Sequence, residues 1–172
     1  MKILLLDIAS SPERIIVGAD SAILRHGEPL FMAEGQQDWL SAVVPAVRVG
    51  RLGLHIPRKA AASYIDAVTL FHVLIPPNFL PAWAAADRTF APGTWLEDTT
   101  WPAEFSRGDI SRPFVSPDRA SDALALLSRT MTFKTGDIIL FGDMAITHTL
   151  PPPRDNVRAS LGDEPVLDLK IR

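Results

Sequence analysis

Two residues that can carry acid–base chemistry stand close together near the C-terminal end of the chain. Asp143 and His148 follow the apolar run at residues 138–141, with Gly142 between the run and the aspartate. A carboxylate and an imidazole in such positions can act as general acid and base, or can bind a small ligand. An exposed loop of ordinary polar residues would have the same composition, so both interpretations of Asp143 and His148 stay open.

His72 is a third candidate for an acid or a base, but it lies within the apolar run at residues 67–75. A single histidine in such a run is more often a core residue with a hydrogen-bond partner than a ligand. Glu97 and Asp98 are adjacent, so on a strand their carboxylates point to opposite faces and do not share a cation. The chain has no cysteine, which excludes a thiolate nucleophile and a zinc–thiolate site.

The elements that must position these residues are mostly strands. The predicted strands are short apolar or alternating runs that end at glycine, proline or other turn residues. They cover residues 3–6, 14–17, 30–32, 39–49, 67–75, 138–141 and 165–171. Run 138–141 is apolar throughout, which indicates a strand that is buried on both faces. Pro45 lies within run 39–49, so we expect that strand to be at a sheet edge or to carry a bulge there.

Helices are predicted in two places, and a long loop region lies between them. Pro57 stands before good helix formers at residues 57–65, and apolar residues recur at helical spacing over residues 118–131. Ser116 or Asp118 can cap the second helix. Residues 76–118 are rich in proline and tryptophan and show no clear periodicity, so we expect a long loop with a helical turn at 82–86 and short strands.

Composition restricts the class of protein. A chain of 172 residues is long enough for one domain, which we place at residues 1–172. Its formal net charge of −3 and the absence of a basic cluster argue against nucleic acid and anionic membranes as partners. The apolar run at the N-terminus is too short for a signal peptide or a membrane span, and we expect a cytoplasmic protein. The expected fold class is α+β and mostly β.

Two motifs resemble those of the fumarylacetoacetate hydrolase family. They are Arg-Leu-Gly-Leu-His-Ile at residues 51–56 and Gly-Asp-Ile-Ile-Leu at residues 136–140, and the pieces between them follow in the family's order. The resemblance implies a mixed β-roll or sandwich with a few short helices, here with a shortened N-terminal part, and it implies dimers. Members of this family use Mg²⁺ or Mn²⁺ to cleave, decarboxylate, hydrate or isomerise 2-keto and β-diketo acids.

The family's metal-ligand positions carry apolar residues in this sequence. Two family glutamates, one residue apart on the strand before the Arg-Leu-Gly turn, correspond to Ala42 and Val44, and a family aspartate corresponds to Val73. The family's lysine falls near Ala84. None of these four side chains has an oxygen or nitrogen that binds a divalent cation.

Other parts of the family's site also differ. Residues 141–144 replace its Thr-Gly-Thr-Pro, and the loop that carries a catalytic histidine has no counterpart between Ser10 and Arg25. The resemblance implies that Asp87, Phe141 and Asp143 line the pocket.

These observations support two main hypotheses. The first is a non-catalytic relative of the family, a structural or regulatory subunit that needs no cofactor and forms a homodimer or a heteromer with an active paralogue. The second is a divergent hydrolase, decarboxylase or isomerase of 2-keto or β-diketo acids, with Asp143, His148 or His72 as acid or base. Mg²⁺ or Mn²⁺ would be needed only if the metal site differs from the positions above. A module that binds a small keto acid is a third possibility.

Overall fold

The short apolar runs of the sequence form most of the strands. A computed structural model of the protein describes residues 1–7, 14–32, 38–76, 83–97, 101–149, 151–152 and 154–172. Within these residues the strands are β1 Ile3–Asp7, β2 Arg14–Gly18, β3 Leu40–Val49, β4 Ile65–Ile75, β5 Phe90–Pro92, β6 Leu96–Glu97, β7 Glu104–Arg107, β8 Ile110–Pro113, β9 Ile138–Phe141, β10 Ile146–Thr149, β11 Asn156–Leu161 and β12 Glu164–Lys170.

The described strands form two sheets. In the larger sheet the order is β2-β1-β9-β3-β4-β5, with β10 also paired to β3 and β6 also paired to β4. β1 and β9 are parallel and the other pairs are antiparallel, so the sheet is mixed. The smaller sheet has the order β12-β11-β7-β8. The α+β, mostly β fold class predicted from the sequence is confirmed.

The helices are shorter than predicted. Helix α1, Arg58–Ala61, continues as a 3-10 helix at Ala62–Tyr64, and β4 starts at the next residue. Helix α2 is Pro117–Leu127 and ends four residues before the predicted end, because residues 128–130 leave the helix as turns. The Ser116 hydroxyl accepts a hydrogen bond from the backbone N–H of Arg119, which makes it the N-cap. Further 3-10 helices are Asp20–Ala22, Trp83–Ala85 and Gly142–Met144.

Strand β3 lies inside the larger sheet, so the prediction of an edge strand is wrong. It pairs with β4 along its whole length, and on its other side with β9 at Ala46 and with β10 at Val43. Pro45 lies between these two pairings, where the Gly142–Met144 helix separates β9 from β10. A residue without an N–H is tolerated at such a gap. The register shift with β4 lies between Arg48 and Val49, away from the proline.

Two other predictions need correction. The predicted loop at 76–118 contains β5 to β8, whose pairing depends on residues distant in sequence, and the predicted one-turn helix forms over Trp83–Ala85. The predicted strand at 30–32 is reduced to a single bridge between Leu30 and Ile171. None of the described helices is long and apolar enough to cross a membrane.

Each face of the larger sheet packs against a separate apolar cluster. Because successive residues of a strand point to opposite faces, Val43 and Val47 of β3 lie on one face and Ala42, Val44 and Ala46 on the other. We call these the odd face and the even face, after the numbering of β3. The odd face is covered by α2 and the smaller sheet. Residues around the 3-10 helices Asp20–Ala22 and Trp83–Ala85 join the cluster on the even face.

Candidate functional site

The even face brings the family's metal-ligand positions together. Ala42 and Val44 share this face, and Val73 of β4 lies directly opposite Ala42. The exposed fractions of these three residues are 0%, 1% and 0%. Ala84, the position near the family's lysine, is 5% exposed and belongs to the same cluster. The four positions, which extend from residue 42 to residue 84 along the chain, thus belong to one apolar cluster.

Aromatic side chains fill the space in front of these positions. Phe71 and Phe90 are fully buried in the cluster, and the Trp95 ring meets the Phe71 ring edge-on with 5.9 Å between centroids. A methyl group added at Gly18 would come within 2.6 Å of Phe90 Cε2, so the end of β2 packs tightly against the Phe90 ring. This arrangement is that of a packed apolar core.

A divalent cation does not fit this arrangement. Mg²⁺ and Mn²⁺ require oxygen ligands, and the side chains at Ala42, Val44 and Val73 supply none. Among the residues that the structure describes, no group of three or more His, Cys, Asp or Glu could hold a metal ion.

The odd face instead carries a polar cluster at one end of β3. Ser41 is paired in register with His148 of β10, and Val43, two residues along, is paired with His72 of β4, so all three polar residues share this face. The Ser41 Oγ and His72 Nε2 atoms are 2.9 Å apart. Ser41 and His72 are both fully buried. The His72 Nδ1 atom has no hydrogen-bond partner among the described residues.

Arg107 joins this cluster from the smaller sheet. Its Nη1 donates to the Ser41 carbonyl oxygen at 2.7 Å, and its Nη2 donates to the Ser41 hydroxyl at 2.8 Å. The residue is 8% exposed. No carboxylate among the described residues forms an ion pair with it. Burial lowers the pKa of the Arg107 guanidinium to about 10, so the side chain remains a cation at neutral pH.

The two histidines of the cluster are neutral at pH 7. Burial, and then the charge of Arg107, lower the pKa of His72 to about 3. The same two causes lower the pKa of His148 below its ordinary value. Arg107 is therefore a buried positive charge whose hydrogen bonds within the cluster go to neutral oxygens.

His148 and Arg107 also line an open cavity of about 590 Å³. The other charged residues of its lining are Arg154, Asp155 and Arg158. The His148 Nε2 atom is buried and has no hydrogen-bond partner among the described residues. The cavity thus combines a buried cation with an unpartnered ring nitrogen.

Asp143 contacts helix α2 and is absent from the lining of the cavity that His148 lines. Asp143 lies in the Gly142–Met144 helix, and its Oδ2 accepts a hydrogen bond from Arg119 Nη2 of α2 at 2.7 Å. Its Oδ1 is buried without a partner in the described part of the chain. Phe141 is fully buried in the odd-face core, and Asp87 is exposed. The predicted candidates therefore divide into two groups: His72 and His148 around Ser41, and Asp143 beside Arg119.

Sequence reasoning missed Ser41 and Arg107. Ser41 is the one polar residue in the run from 40 to 47, a weak signal for a buried hydroxyl with a specific partner. Arg107 precedes the turn at Gly108 in a hairpin that was predicted only as loop. Its partner lies 66 residues away, so no local pattern links the two.

Comparisons with known proteins identify the fold. No protein-family model matches this chain, and no curated protein matches its sequence. Solved structures do match: 2-hydroxyhepta-2,4-diene-1,7-dioate isomerase from Mycobacterium marinum has a TM-score of 0.80 at 16% identity, over 99% of this chain and 73% of that one.

Two further solved structures are similar. Fumarylpyruvate hydrolase from Pseudomonas aeruginosa, in complex with Mn²⁺ and pyruvate, has a TM-score of 0.74 at 11% identity, over 99% and 89% of the two chains. 5-carboxymethyl-2-hydroxymuconate delta-isomerase from Mycobacterium smegmatis has a TM-score of 0.75 at 16% identity, over 99% of this chain and 78% of that one. The chain therefore has the fold of the fumarylacetoacetate hydrolase family, as its two motifs predict.

Proposed function

We propose that this protein has the family's fold without its metal-dependent chemistry and acts as a structural or regulatory subunit. The observation that carries the proposal is the even face of the larger sheet. Ala42, Val44 and Val73 lie together there, buried among aromatic and aliphatic side chains.

The physical reason is the cost of placing a cation on that face. An ion taken from water into apolar surroundings loses several kcal/mol or more of hydration energy unless ligands replace the water. Mg²⁺ in particular gives up its waters reluctantly and requires near-octahedral oxygen coordination. The cluster around Phe71 and Phe90 provides no oxygen ligands.

Calorimetric titration with Mn²⁺ and Mg²⁺, combined with turnover assays on fumarylpyruvate and oxaloacetate, tests the proposal. We expect no saturable micromolar binding and no turnover above the rate in buffer, with or without metal. The Pseudomonas aeruginosa fumarylpyruvate hydrolase, whose solved structure contains Mn²⁺, serves as the positive control. Mn²⁺-dependent turnover by this protein would overturn the proposal.

As such a subunit, the protein would associate with a second copy or with an active relative. The edge strand β2 supports this part of the proposal, because it pairs only with β1 among the described strands and exposes Ile15 and Val17. An exposed apolar edge is a site for association. Light scattering after size-exclusion chromatography measures the mass, and we expect a dimer that Val17→Lys converts to a monomer. A monomeric wild-type protein would contradict homodimer formation.

A divergent enzyme that acts on keto acids is the second candidate function. The fold is shared with hydrolases and isomerases of such substrates, and His148, neutral at pH 7, lies in a cavity beside the Arg107 cation. A neutral imidazole can accept a proton, and a guanidinium can hold a substrate carboxylate. This candidate predicts metal-independent turnover of acylpyruvates or oxaloacetate that His148→Ala abolishes. Turnover that is absent, or unchanged in His148→Ala, would exclude this site as the catalytic one.

A further inference from the structure

We propose that the cavity between β7, β10 and residues 154–158 is a binding site for a small carboxylate, with Arg107 and His148 as its main contacts. This inference concerns binding alone and holds whether or not the protein is an enzyme. The proposed site lies on the odd face of the larger sheet, whereas the family's metal-ligand positions lie on the even face.

Arg107 has no counter-charge among the described residues. Seven ion pairs occur among the described residues, and this most buried of the arginines takes part in none of them. A guanidinium removed from water without an anion is costly, and its contacts with Ser41 are with neutral oxygens. A ligand carboxylate would supply the absent negative charge.

The guanidinium of Arg107 has further N–H groups that a ligand can use. A guanidinium has five N–H groups, and among the described residues Arg107 donates two hydrogen bonds, both to Ser41. The remaining edge of the planar group can bind a carboxylate by donating two parallel hydrogen bonds to its oxygens. Because Ser41 holds two of the nitrogens at 2.7 and 2.8 Å, the orientation of the group is established before a ligand arrives.

His148 offers a ligand a second polar contact. Its Nε2 atom is buried, lacks a partner among the described residues and belongs to a residue that lines the same cavity as Arg107. An unpartnered buried ring nitrogen is destabilising, and a ligand oxygen or hydroxyl would satisfy it.

The charges of the cavity favour an anion over a cation. Arg154 is exposed in its lining, Arg158 is paired with Asp168 at 3.5 Å, and the Asp155 carboxylate accepts a hydrogen bond from a backbone N–H. One buried guanidinium and one neutral imidazole suit a single carboxylate group, which carries one negative charge, so only one of the two carboxylates of succinate would lie in this contact. A phosphate dianion would require more positive charge close to the ligand.

The test is isothermal titration of the full chain at pH 7 with pyruvate, succinate and inorganic phosphate. We expect one-to-one saturable binding of pyruvate or succinate and no comparable binding of phosphate. Arg107→Gln should lower the carboxylate affinity by about 10- to 100-fold, and Arg154→Gln by about 2- to 5-fold. Arg112→Gln, at an exposed arginine on β8 outside the cavity lining, is the matched control and should leave the affinity unchanged.

A second measurement does not depend on Arg107→Gln folding. The ring signals of His148, assigned in NMR spectra by comparison with His148→Gln, should shift on addition of pyruvate or succinate to the wild-type protein. Signals of the exposed His26 should not shift. The proposal is overturned if neither acid binds, if phosphate alone binds, if the His148 signals stay unchanged at saturation, or if folded Arg107→Gln keeps the wild-type affinity.

Discussion

Ser41 and Ala42 are neighbours in β3, yet they lie in opposite environments. Ala42 points to the even face, where every surrounding side chain in its cluster is apolar. Ser41 points to the odd face, where it contacts a buried cation and a neutral histidine. The two faces belong to the same strands, so one backbone supports an apolar core on one side and, on the other, a charge without an ion-pair partner among the described residues.

The difference shows that a shared fold does not determine where charge is located. In the family that this sequence resembles, the residues at Ala42 and Val44 are carboxylates that hold a metal. In this chain those positions are part of the core, and Arg107, a buried charge without an ion-pair partner among the described residues, contacts the opposite face. Function must therefore be inferred from the side chains of each face and not from the fold.

Restoring a carboxylate to the even face should have the largest effect. We expect Ala42→Glu to lower the free energy of unfolding by about 3–5 kcal/mol, because the new charge is buried without a partner. Leu40→Glu is the matched control at an exposed position two residues earlier in β3, and its effect should be within about 1 kcal/mol. Urea unfolding measures both. A stable Ala42→Glu variant that binds Mn²⁺ would mean that the even face can still form a metal site.

The stability of the protein should depend on pH because His72 is buried on the odd face. The unfolded chain protonates this histidine near pH 6.5, whereas the folded protein does so only near pH 3. Between these values the unfolded state binds more protons, so the stability due to His72 is present above pH 6.5 and is lost as the pH falls towards 3.

The variant His72→Gln should remove this contribution. Its free energy of unfolding should fall less steeply with decreasing pH, by about 1.4 kcal/mol per pH unit for one proton. His26→Gln, at an exposed histidine, should retain the wild-type slope. Equal slopes for His72→Gln and wild type between pH 6 and pH 4 would show that His72 is not held neutral.

Removal of the Ser41 hydroxyl should have an intermediate effect. In Ser41→Ala the Nε2 atom of His72 and one N–H of Arg107 lose their partner, which should cost about 1–3 kcal/mol. Thr147→Ala, at an exposed residue of the neighbouring strand β10, should change stability by less than about 0.5 kcal/mol. Thermal unfolding at pH 7 measures the difference. An unchanged melting temperature for Ser41→Ala would indicate that the polar cluster contributes no stability.

The change with the smallest expected effect is Asp143→Asn. The ion pair of Asp143 with Arg119 is partly exposed, so its loss should cost about 0.5–1 kcal/mol. Asp143 is absent from the lining of the Arg107 cavity, and the affinity for pyruvate should be the same in the variant as in the wild type. A loss of affinity comparable to that of Arg107→Gln would place Asp143 in the same site as His148.

Much of the fold could be predicted from local patterns. The apolar residues of β9 and the turn residues around them predict a strand buried on both faces, and all four residues are buried. The Ser116 cap and the helical spacing behind it predict α2. Strand β3 could not be placed correctly, because Pro45 is tolerated at a gap between β9 and β10 that depends on the path of another part of the chain.

The candidate site was predicted only in part. His72 and His148 were identified as titratable residues, but the sequence offered Asp143 as the partner of His148. Asp143 and His148 are close in sequence, whereas Arg107 is 41 residues before His148 and 66 after Ser41. Hydrogen bonds between the two sheets join residues that are far apart in the sequence, so no local pattern pointed to Arg107.

The sequence by itself determined which residues are apolar, where the turns fall and that the family's metal-ligand positions lack carboxylates. These properties depend on residue type and on short-range periodicity. Only the tertiary structure decided that Ala42, Val44, Val73 and Ala84 form one closed core, and that Ser41, His72, Arg107 and His148 meet on the opposite face. The reason is strand register: pairing and sheet packing decide which distant side chains share a face, and a shift of one residue would exchange the two faces.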